Sequence, residues 1–134
     1  MQINQATDYS FRVVLYLSTL PRGEVVEAQT IAQTQCIPMR YLFKIMPSLT
    51  RAGIITSQRG VGGGYVLAKD PAEISLLDVI EAIEGPIRLN RCFIDEHYCS
   101  KNGPPDCPVH QALAGIQQRL NADFSKVVFS DLLE

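Results

Sequence analysis

Apolar side chains recur at helical spacing along the first fifty residues and predict three helices. Residues 4–20 carry apolar positions on two faces, which indicates a helix buried on more than one side. A shorter helix is predicted over residues 26–35, and a third begins at Pro38, placed at the first helical position. Pro47 lies inside the third helix and should cost about 3 kcal/mol there. The pattern therefore allows a kink or an early end near Met46.

Two short strands are predicted after the third helix. Residues 54–57 and 65–68 have strand character, and the glycine-rich residues 58–64 between them form a hairpin tip. The order helix, short helix, turn, helix and hairpin predicts a winged helix-turn-helix, which is a mainly α fold with a small β-hairpin. In this fold the third helix enters the major groove of DNA.

Two more helices are predicted in the second half of the chain. Ser75 and Asp78 form a capping-box pattern before a helix that ends at Gly85. Pro108 marks the first turn of a last, long helix, which places Cys107 at its cap. Its apolar positions follow at steps of four, three, four, four and three residues: Val109, Leu113, Ile116, Leu120, Phe124 and Val127.

This near-heptad seam is long for the end of so small a protein. We interpret it as a dimerisation helix, with folding back onto the winged domain of the same chain as the alternative. The predicted division is a winged helix-turn-helix DNA-binding domain at residues 1–85, a cysteine-rich loop at residues 86–108, and a dimerisation helix with a C-terminal tail at residues 109–134.

Charge is distributed unevenly along the chain, although the net charge is only −2. Residues 1–69 hold seven Lys or Arg against three Asp or Glu, and residues 70–134 hold five against eleven. The first half therefore suits an anionic partner such as double-stranded DNA. The chain opens without a basic start and apolar run, and its longest apolar-leaning stretch is well short of the roughly 20 residues of a membrane span. We therefore expect a cytoplasmic protein without a membrane partner.

The exposed face of the third helix is the first candidate for DNA contact. Arg40 and Lys44 lie one turn apart with Tyr41 beside them, and can reach base edges and phosphates together. In the wing, Arg59 is the lone cation among glycines that permit a close backbone approach to DNA. A charged helix face can also be merely solvated, and glycine-rich loops can also bind nucleotides, but no Gly-Lys-Ser or Gly-Lys-Thr follows here. The candidate DNA-binding residues are Arg40, Tyr41, Lys44, Ser48, Arg51, Arg59, Gly60, Gly62 and Gly63.

Soft metal ligands are concentrated in residues 91–110. Cys92, Cys99, Cys107 and His110 fall there, and Gly103, Pro104 and Pro105 exclude a regular helix or central strand through the middle. A loop of thiolates and an imidazole can bind zinc or an iron-sulfur cluster, and the spacing does not choose between them.

The sequence disfavours other interpretations of these residues. Disulfides are disfavoured without a secretory leader, and the polar surroundings disfavour buried free cysteines. An enzyme with Cys107 as nucleophile and His110 as base would lack an orienting third group and an evident oxyanion pocket, so we expect no enzyme. The remaining cysteine, Cys36, is interpreted as a core residue.

The run RGVGGGYVLAKDPAEISLLDVIEAIEG, together with the preceding helix-turn-helix and the three following cysteines, closely resembles the Rrf2 family of bacterial winged-helix transcription regulators. The resemblance covers nearly the whole chain. It implies a homodimer that binds operator DNA through its third helix and wing. It also implies that three cysteines bind a [2Fe-2S] or [4Fe-4S] cluster. It also implies a fourth ligand, which is either His110 or Asp8 of the other subunit.

Two positions bear on how far the resemblance extends. Similar sequences often carry a proline at the position of Pro47. Phe43 departs from the family, because some members place a polar, base-contacting residue there. The expected function is that of a DNA-binding regulator, expected to be a repressor, whose operator affinity reports redox state, nitric oxide or the supply of iron or cluster. The alternatives are a regulator with a structural zinc site, and a thiol or small-molecule sensor without a cluster.

Overall fold

Three helices at the start of the chain build the helix-turn-helix. The structure is a computed structural model that describes residues 2–103 and 106–133. The helices are α1 (Gln5–Ser18), α2 (Ala28–Gln35) and α3 (Met39–Arg51). The Asn4 side chain starts α1 by accepting the Thr7 amide at 2.8 Å. In α3 the stripe Leu42, Ile45, Met46 and Leu49 is buried, which leaves the opposite face open.

Two predicted helix starts were wrong by one or two residues. The second helix begins at Ala28 rather than Val26, because Val26 is bonded to the hairpin instead: its amide donates to the Tyr65 carbonyl at 2.9 Å and its carbonyl accepts the Tyr65 amide at 2.8 Å. Pro38 is not the first residue of α3. It precedes the helix as its N-cap with φ −59° and ψ 137°, an extended backbone.

The early end near Met46 that Pro47 allowed does not occur, since α3 continues to Arg51. Pro47 removes the amide that would bond to the Phe43 carbonyl. Both residues lie on the exposed face, where water can satisfy that carbonyl. Burial of the apolar stripe on the other face outweighs one missing hydrogen bond.

The wing is a two-stranded antiparallel hairpin, β1 (Ile55–Gln58) and β2 (Gly64–Leu67), with Ile55 opposite Leu67 and Gln58 opposite Gly64. The strands are displaced by one residue from the predicted segments, 54–57 and 65–68. The Ile54 amide donates to the Leu49 carbonyl at 3.1 Å, which joins Ile54 to the end of α3, while its carbonyl accepts the Ala68 amide at 2.9 Å just beyond the paired strands.

The second half adds α4 (Leu76–Glu84) and α5 (Pro108–Lys126), with 3₁₀ turns at Pro71–Glu73, Arg91–Phe93 and Phe129–Leu132. The predicted capping box starts α4: the Ser75 hydroxyl accepts the Asp78 amide at 3.1 Å, and the Asp78 carboxylate accepts the Ser75 amide at 2.9 Å. Cys107 lies at the N-cap of α5, as predicted. The predicted winged helix-turn-helix with a long C-terminal helix is therefore observed.

The core lies among α1, α2, α3, α4 and the hairpin, and the chain after α5 returns to it. The Val127 carbonyl accepts the Leu76 amide at 2.9 Å, and the Phe129 amide donates to the Ile74 carbonyl at 3.0 Å. Phe129 is 1% exposed, and its ring centroid lies 6.5 Å from that of Phe11 in α1. The C-terminal segment is therefore part of the core of the winged head, the unit formed by α1 to α4 and the hairpin.

Cys36 is not a core residue, which corrects the sequence interpretation. It is exposed at the C-terminal end of α2, where its backbone is left-handed with φ 56° and ψ 46°. The chain needs this conformation to turn from α2 towards α3. The neighbouring Ile37 is buried in its place.

α5 itself contributes no buried residue within the described part of the chain. On its predicted apolar seam, Val109 is 62% exposed and Ile116 is 44% exposed. Among the described residues, none of the helices has the length and apolar character needed to cross a membrane.

Replacement of Phe129 by Ala should lower the free energy of unfolding by about 3–5 kcal/mol, because it removes a buried aromatic ring from the core. Urea denaturation followed by circular dichroism measures this change. Leu132→Ala is the matched control, since Leu132 lies in the same turn but is 44% exposed, and should change stability by less than about 1 kcal/mol. Equal losses in both variants would contradict a core role for Phe129.

Candidate nucleic-acid interface and cysteine-rich loop

The outward face of α3 carries a row of cations. Arg40, Lys44 and Arg51 are exposed on the side opposite the buried stripe. Within the described residues, no carboxylate pairs with any of these three side chains. Their charge is therefore free to attract phosphate groups.

Tyr41 connects this row to the core. Its ring packs edge-on against Tyr9 of α1, with 5.3 Å between the centroids. The Arg40 guanidinium lies over the Tyr41 ring, 5.6 Å from its centroid. Near the C-terminal end of α3, Arg51 donates a hydrogen bond to the Ser48 hydroxyl at 3.2 Å. The predicted residues of α3 thus share one surface, on which Tyr41 holds Arg40.

The tip of the wing is a tight turn from Gly60 to Gly63. The Gly63 amide donates to the Gly60 carbonyl at 3.0 Å, and Gly62 has φ 77°, which a residue with a side chain rarely adopts. Val61 stands fully exposed at the apex, and Arg59 is exposed just before the turn.

Two glycines of the wing are required by close backbone packing within the chain, independently of any contact with DNA. A Cβ atom on Gly63 would lie 2.4 Å from the Gln58 carbonyl oxygen. A Cβ atom on Gly64, which has φ 154°, would lie 2.2 Å from the Val26 carbonyl oxygen. Gly64 therefore lets the hairpin lie close to the strand-like segment before α2.

Phe43 was noted in the sequence only as a departure from the family, and neither Phe43 nor Val61 was among the predicted DNA-contacting residues. Phe43 is 58% exposed on the outward face of α3, and Val61 is at the wing apex. An apolar residue at a position that the helical pattern assigns to the polar face is a signal that sequence reasoning could have used for Phe43. Prediction of Val61 at the apex required the turn geometry.

The cysteine-rich loop begins with the 3₁₀ turn Arg91–Phe93. The sulfur of Cys92 lies 3.1 Å from Nδ1 of His110, at the start of α5. Phe93 packs on the same imidazole, with 4.6 Å between the ring centroids. The sequence predicted Cys92 and His110 as neighbours at one site but missed Phe93, which holds the imidazole in place.

Gly103 lies between the two other cysteines. A Cβ atom built on Gly103 would be 3.6 Å from the sulfur of Cys99 and 3.7 Å from that of Cys107. The Gly103 amide hydrogen-bonds to the Cys99 sulfur and, with a further contribution from the Lys101 amide, lowers the pKa of the Cys99 thiol. Pro104 and Pro105, which were predicted to interrupt regular structure, lie outside the described residues.

Cys92, Cys99, Cys107 and His110 line one surface cavity, together with Asn90, Tyr98, Ser100 and Val109. Soft thiolates with one imidazole are a suitable donor set for iron or zinc. Within residues 2–103 and 106–133, no three Cys, His, Asp or Glu side chains surround a point where a single metal ion would sit. The donor set is therefore gathered at one cavity but spread around it.

Asp8, the other candidate ligand, lies elsewhere in the same chain. It is exposed in the first turn of α1, where its carboxylate pairs with Arg12 at 3.2 Å. It does not line the cavity of the cysteine loop. A second copy of the chain would have to bring Asp8 to that cavity.

Two contacts that sequence reasoning missed fasten the loop. The Gln117 side chain in α5 accepts the Leu89 amide at 2.9 Å. The Arg91 guanidinium lies 4.6 Å from the centroid of the Tyr98 ring. The first contact joins residues 28 positions apart, so no local sequence pattern predicts it.

The chain has an exposed, positively charged helix next to a β-hairpin with a glycine-rich turn. These are the features of winged-helix DNA-binding regulators. The family model described as "Rrf2: Iron-dependent Transcriptional regulator" matches residues 3–134. The chain therefore belongs to the Rrf2 family of transcriptional regulators, which confirms the resemblance found in the sequence. The family and its structural neighbours are regulators of transcription and not enzymes.

Solved structures share this fold. CymR (YrzC) of B. subtilis, described as its global cysteine regulator, is 26% identical, with 98% of this chain and 95% of that chain covered at a TM-score of 0.77. IscR of T. potens is 20% identical, with 98% and 85% covered at a TM-score of 0.74. The oxidized form of Staphylococcus aureus CymR is 23% identical, with 100% and 97% covered at a TM-score of 0.75.

Gly64→Ala should destabilise the protein by about 1–3 kcal/mol, because the new side chain would force a strained backbone and a contact with the Val26 carbonyl. The free energy of unfolding in urea measures the effect. Val61→Ala in the same hairpin is the control and should stay within about 0.5 kcal/mol of the parent. A Gly64→Ala variant as stable as the parent would show that the hairpin does not need this close approach.

Proposed function

We propose that this chain is a cytoplasmic, homodimeric transcription regulator whose affinity for operator DNA is controlled by an iron-sulfur cluster in the cysteine-rich loop. The observation that carries the proposal is that Cys92, Cys99, Cys107 and His110 line one cavity at the start of α5. The cluster would make operator affinity sensitive to redox state, nitric oxide or iron supply, and the regulator would act as a repressor.

DNA recognition would use two surfaces of the winged head. Arg40, Tyr41, Lys44, Ser48 and Arg51 on α3 would enter the major groove. Arg59, with the backbone of Gly60, Gly62 and Gly63, would approach the adjacent groove or its phosphates. The support for this assignment is an exposed row of cations on α3 without acidic partners in the described residues.

Cysteine thiolates are the usual ligands of iron-sulfur clusters, so the donor set of the cavity fits such a cluster. The same thiolates and imidazole also fit zinc, which is why the structural zinc site is kept as an alternative. Cys92, Cys99 and Cys107 would be the three thiolate ligands.

The fourth ligand has two candidates. His110 already lies in the cavity, 3.1 Å from the Cys92 sulfur. Asp8 of a second subunit is the other, because an exposed carboxylate at the start of α1 is accessible to a partner chain. The choice between them decides whether the cluster is held within one chain or shared across the dimer.

The dimer would form along α5. This helix has 19 residues, none of them buried within the described part of the chain, and exposes Val109 and Ile116. Pairing with a second copy would bury this seam. A two-fold symmetric pair would then place two α3 helices on half-sites about 34–36 Å apart.

The proposed division is a winged domain at residues 1–85, a ligand-binding loop at residues 86–108 and a pairing helix with its tail at residues 109–134. The tail fastens the C-terminal end of α5 to the head through Val127 and Phe129. The N-terminal end is joined to the head through the cysteine loop. A change in loop order would therefore move one end of α5 relative to α3, and with it the half-site spacing.

A cluster-free thiol or small-molecule sensor is the second candidate function. The similarity to CymR, whose structure is described as that of a cysteine regulator, favours it. In that case the same cysteines would respond directly to thiol chemistry. A structural zinc site would instead hold the loop in one conformation, and the protein would bind DNA constitutively.

Protein purified without oxygen should be brown and contain iron and acid-labile sulfide, and Cys99→Ala should remove both. Cys36→Ala is the matched control, because Cys36 is exposed on α2, outside the loop, and should leave the cluster intact. These outcomes are measured by visible absorption, by metal and sulfide analysis, and by binding to the DNA upstream of the protein's own gene.

The same measurements separate the alternatives. Colourless protein with stoichiometric zinc would support the structural zinc site. Protein free of both metals, whose DNA binding changes after thiol modification, would support the thiol sensor. DNA binding that is identical with and without cluster would contradict the proposed control.

Ile116→Lys should raise the dissociation constant of the dimer by about tenfold or more, because it places a charge in the proposed apolar seam. Sedimentation equilibrium measures this constant. Gln118→Lys is the control on the opposite side of α5, and should leave dimerisation unchanged. A dimer equally tight in both variants would place the subunit interface elsewhere.

A further inference from the structure

We propose that Phe43 recognises the C5-methyl group of a thymine in the major groove and gives the protein a preference for thymine at one position of each half-site. This inference rests on the proposed docking of α3 into DNA. It adds an apolar base contact to a surface that otherwise consists of cations and hydrogen-bonding groups.

Phe43 belongs to the outward face of α3, not to its core stripe. It is 58% exposed, whereas the adjacent Leu42 is fully buried. At 100° per residue, Phe43 shares its side of the helix with Arg40, three residues before it, and Pro47, four residues after it. Pro47 is exposed as well. The two residues form an apolar edge beside the cationic row.

Charge identifies what would cover this edge. The neighbouring cations Arg40 and Lys44 have no acidic partner in the described residues, so the surface attracts a polyanion before it attracts an apolar protein face. The other apolar surface described above, the exposed seam of α5, lies on a different element. Phe43 is therefore best matched to an apolar group carried by DNA.

The major groove offers one such group. Thymine presents its C5-methyl there, while the other base edges present hydrogen-bond donors and acceptors that a phenyl ring cannot pair with. Each polar base edge placed against Phe43 would lose its water without gaining a hydrogen bond. The side chain thus favours thymine and disfavours the alternatives at the position it covers.

The test begins with duplexes selected from a random pool by the full-length protein, purified without oxygen. Each thymine of a selected duplex is replaced singly by deoxyuridine, which removes only the methyl group and keeps the base pair. One position in each half-site should weaken binding by about fourfold, the factor expected for loss of burial of one methyl-sized group. Fluorescence anisotropy measures the dissociation constants.

Phe43→Ala should bind the thymine and deoxyuridine duplexes equally, because the contact that distinguishes them is gone. Lys44→Ala is the matched control on the same helix: it should weaken binding to both duplexes while keeping the fourfold ratio. An exposed position such as Phe43 tolerates Ala without loss of the fold, which circular dichroism verifies.

Three outcomes would overturn the inference alone: no sensitive thymine, a ratio that persists in Phe43→Ala, or equal weakening of every duplex by that variant. Equal weakening would place Phe43 against the sugar-phosphate backbone. Failure of the parent protein to select any DNA sequence would instead contradict the proposed DNA-binding function. The two failures are therefore distinguishable.

Discussion

The position of α5 depends on the return of the chain to the winged head after the helix ends. α5 has no fully buried residue in the described part of the chain, although it lies against α4 and several of its residues are half-buried. Phe129 is instead inserted into the head, and backbone hydrogen bonds from Val127 and Phe129 join the tail to Leu76 and Ile74. The C-terminal end of α5 is therefore joined to the head by backbone hydrogen bonds and a buried ring, while its N-terminal end carries Cys107 and His110.

The N-terminal end of α5 is joined to the cysteine-rich loop by a few contacts. The Cys92 sulfur meets the His110 ring, Phe93 packs on it, and Gln117 accepts the Leu89 amide. Such contacts contribute about 1 kcal/mol each, less than the burial of a large aromatic side chain. The loop is therefore fastened by weaker contacts than those that bury Phe129 in the head.

Local signals predicted much of this structure. The capping box at Ser75 and the cap at Cys107 each depend on a few neighbouring residues, and both are observed. The errors arose where a distant partner decided the outcome: Val26 pairs with Tyr65 instead of starting a helix, and Cys36 turns the chain while Ile37 fills the core. The same cause hid the sites of Phe129 and Gln117, since no sequence pattern specifies which surface a returning segment meets.

The two candidate sites differ in how they are built, and this difference bears on how they can communicate. α3 is fixed by four buried side chains and by the packing of Tyr41 on Tyr9, so the core of the chain itself sets the shape of the proposed DNA-binding surface. The cysteine loop places its donors around a cavity without converging them on one point. Occupation of the cavity would order the loop and leave α3 unchanged within its own head. Any effect on DNA would then arise from the relative placement of two intact heads, because a two-fold reader binds both half-sites only at one spacing.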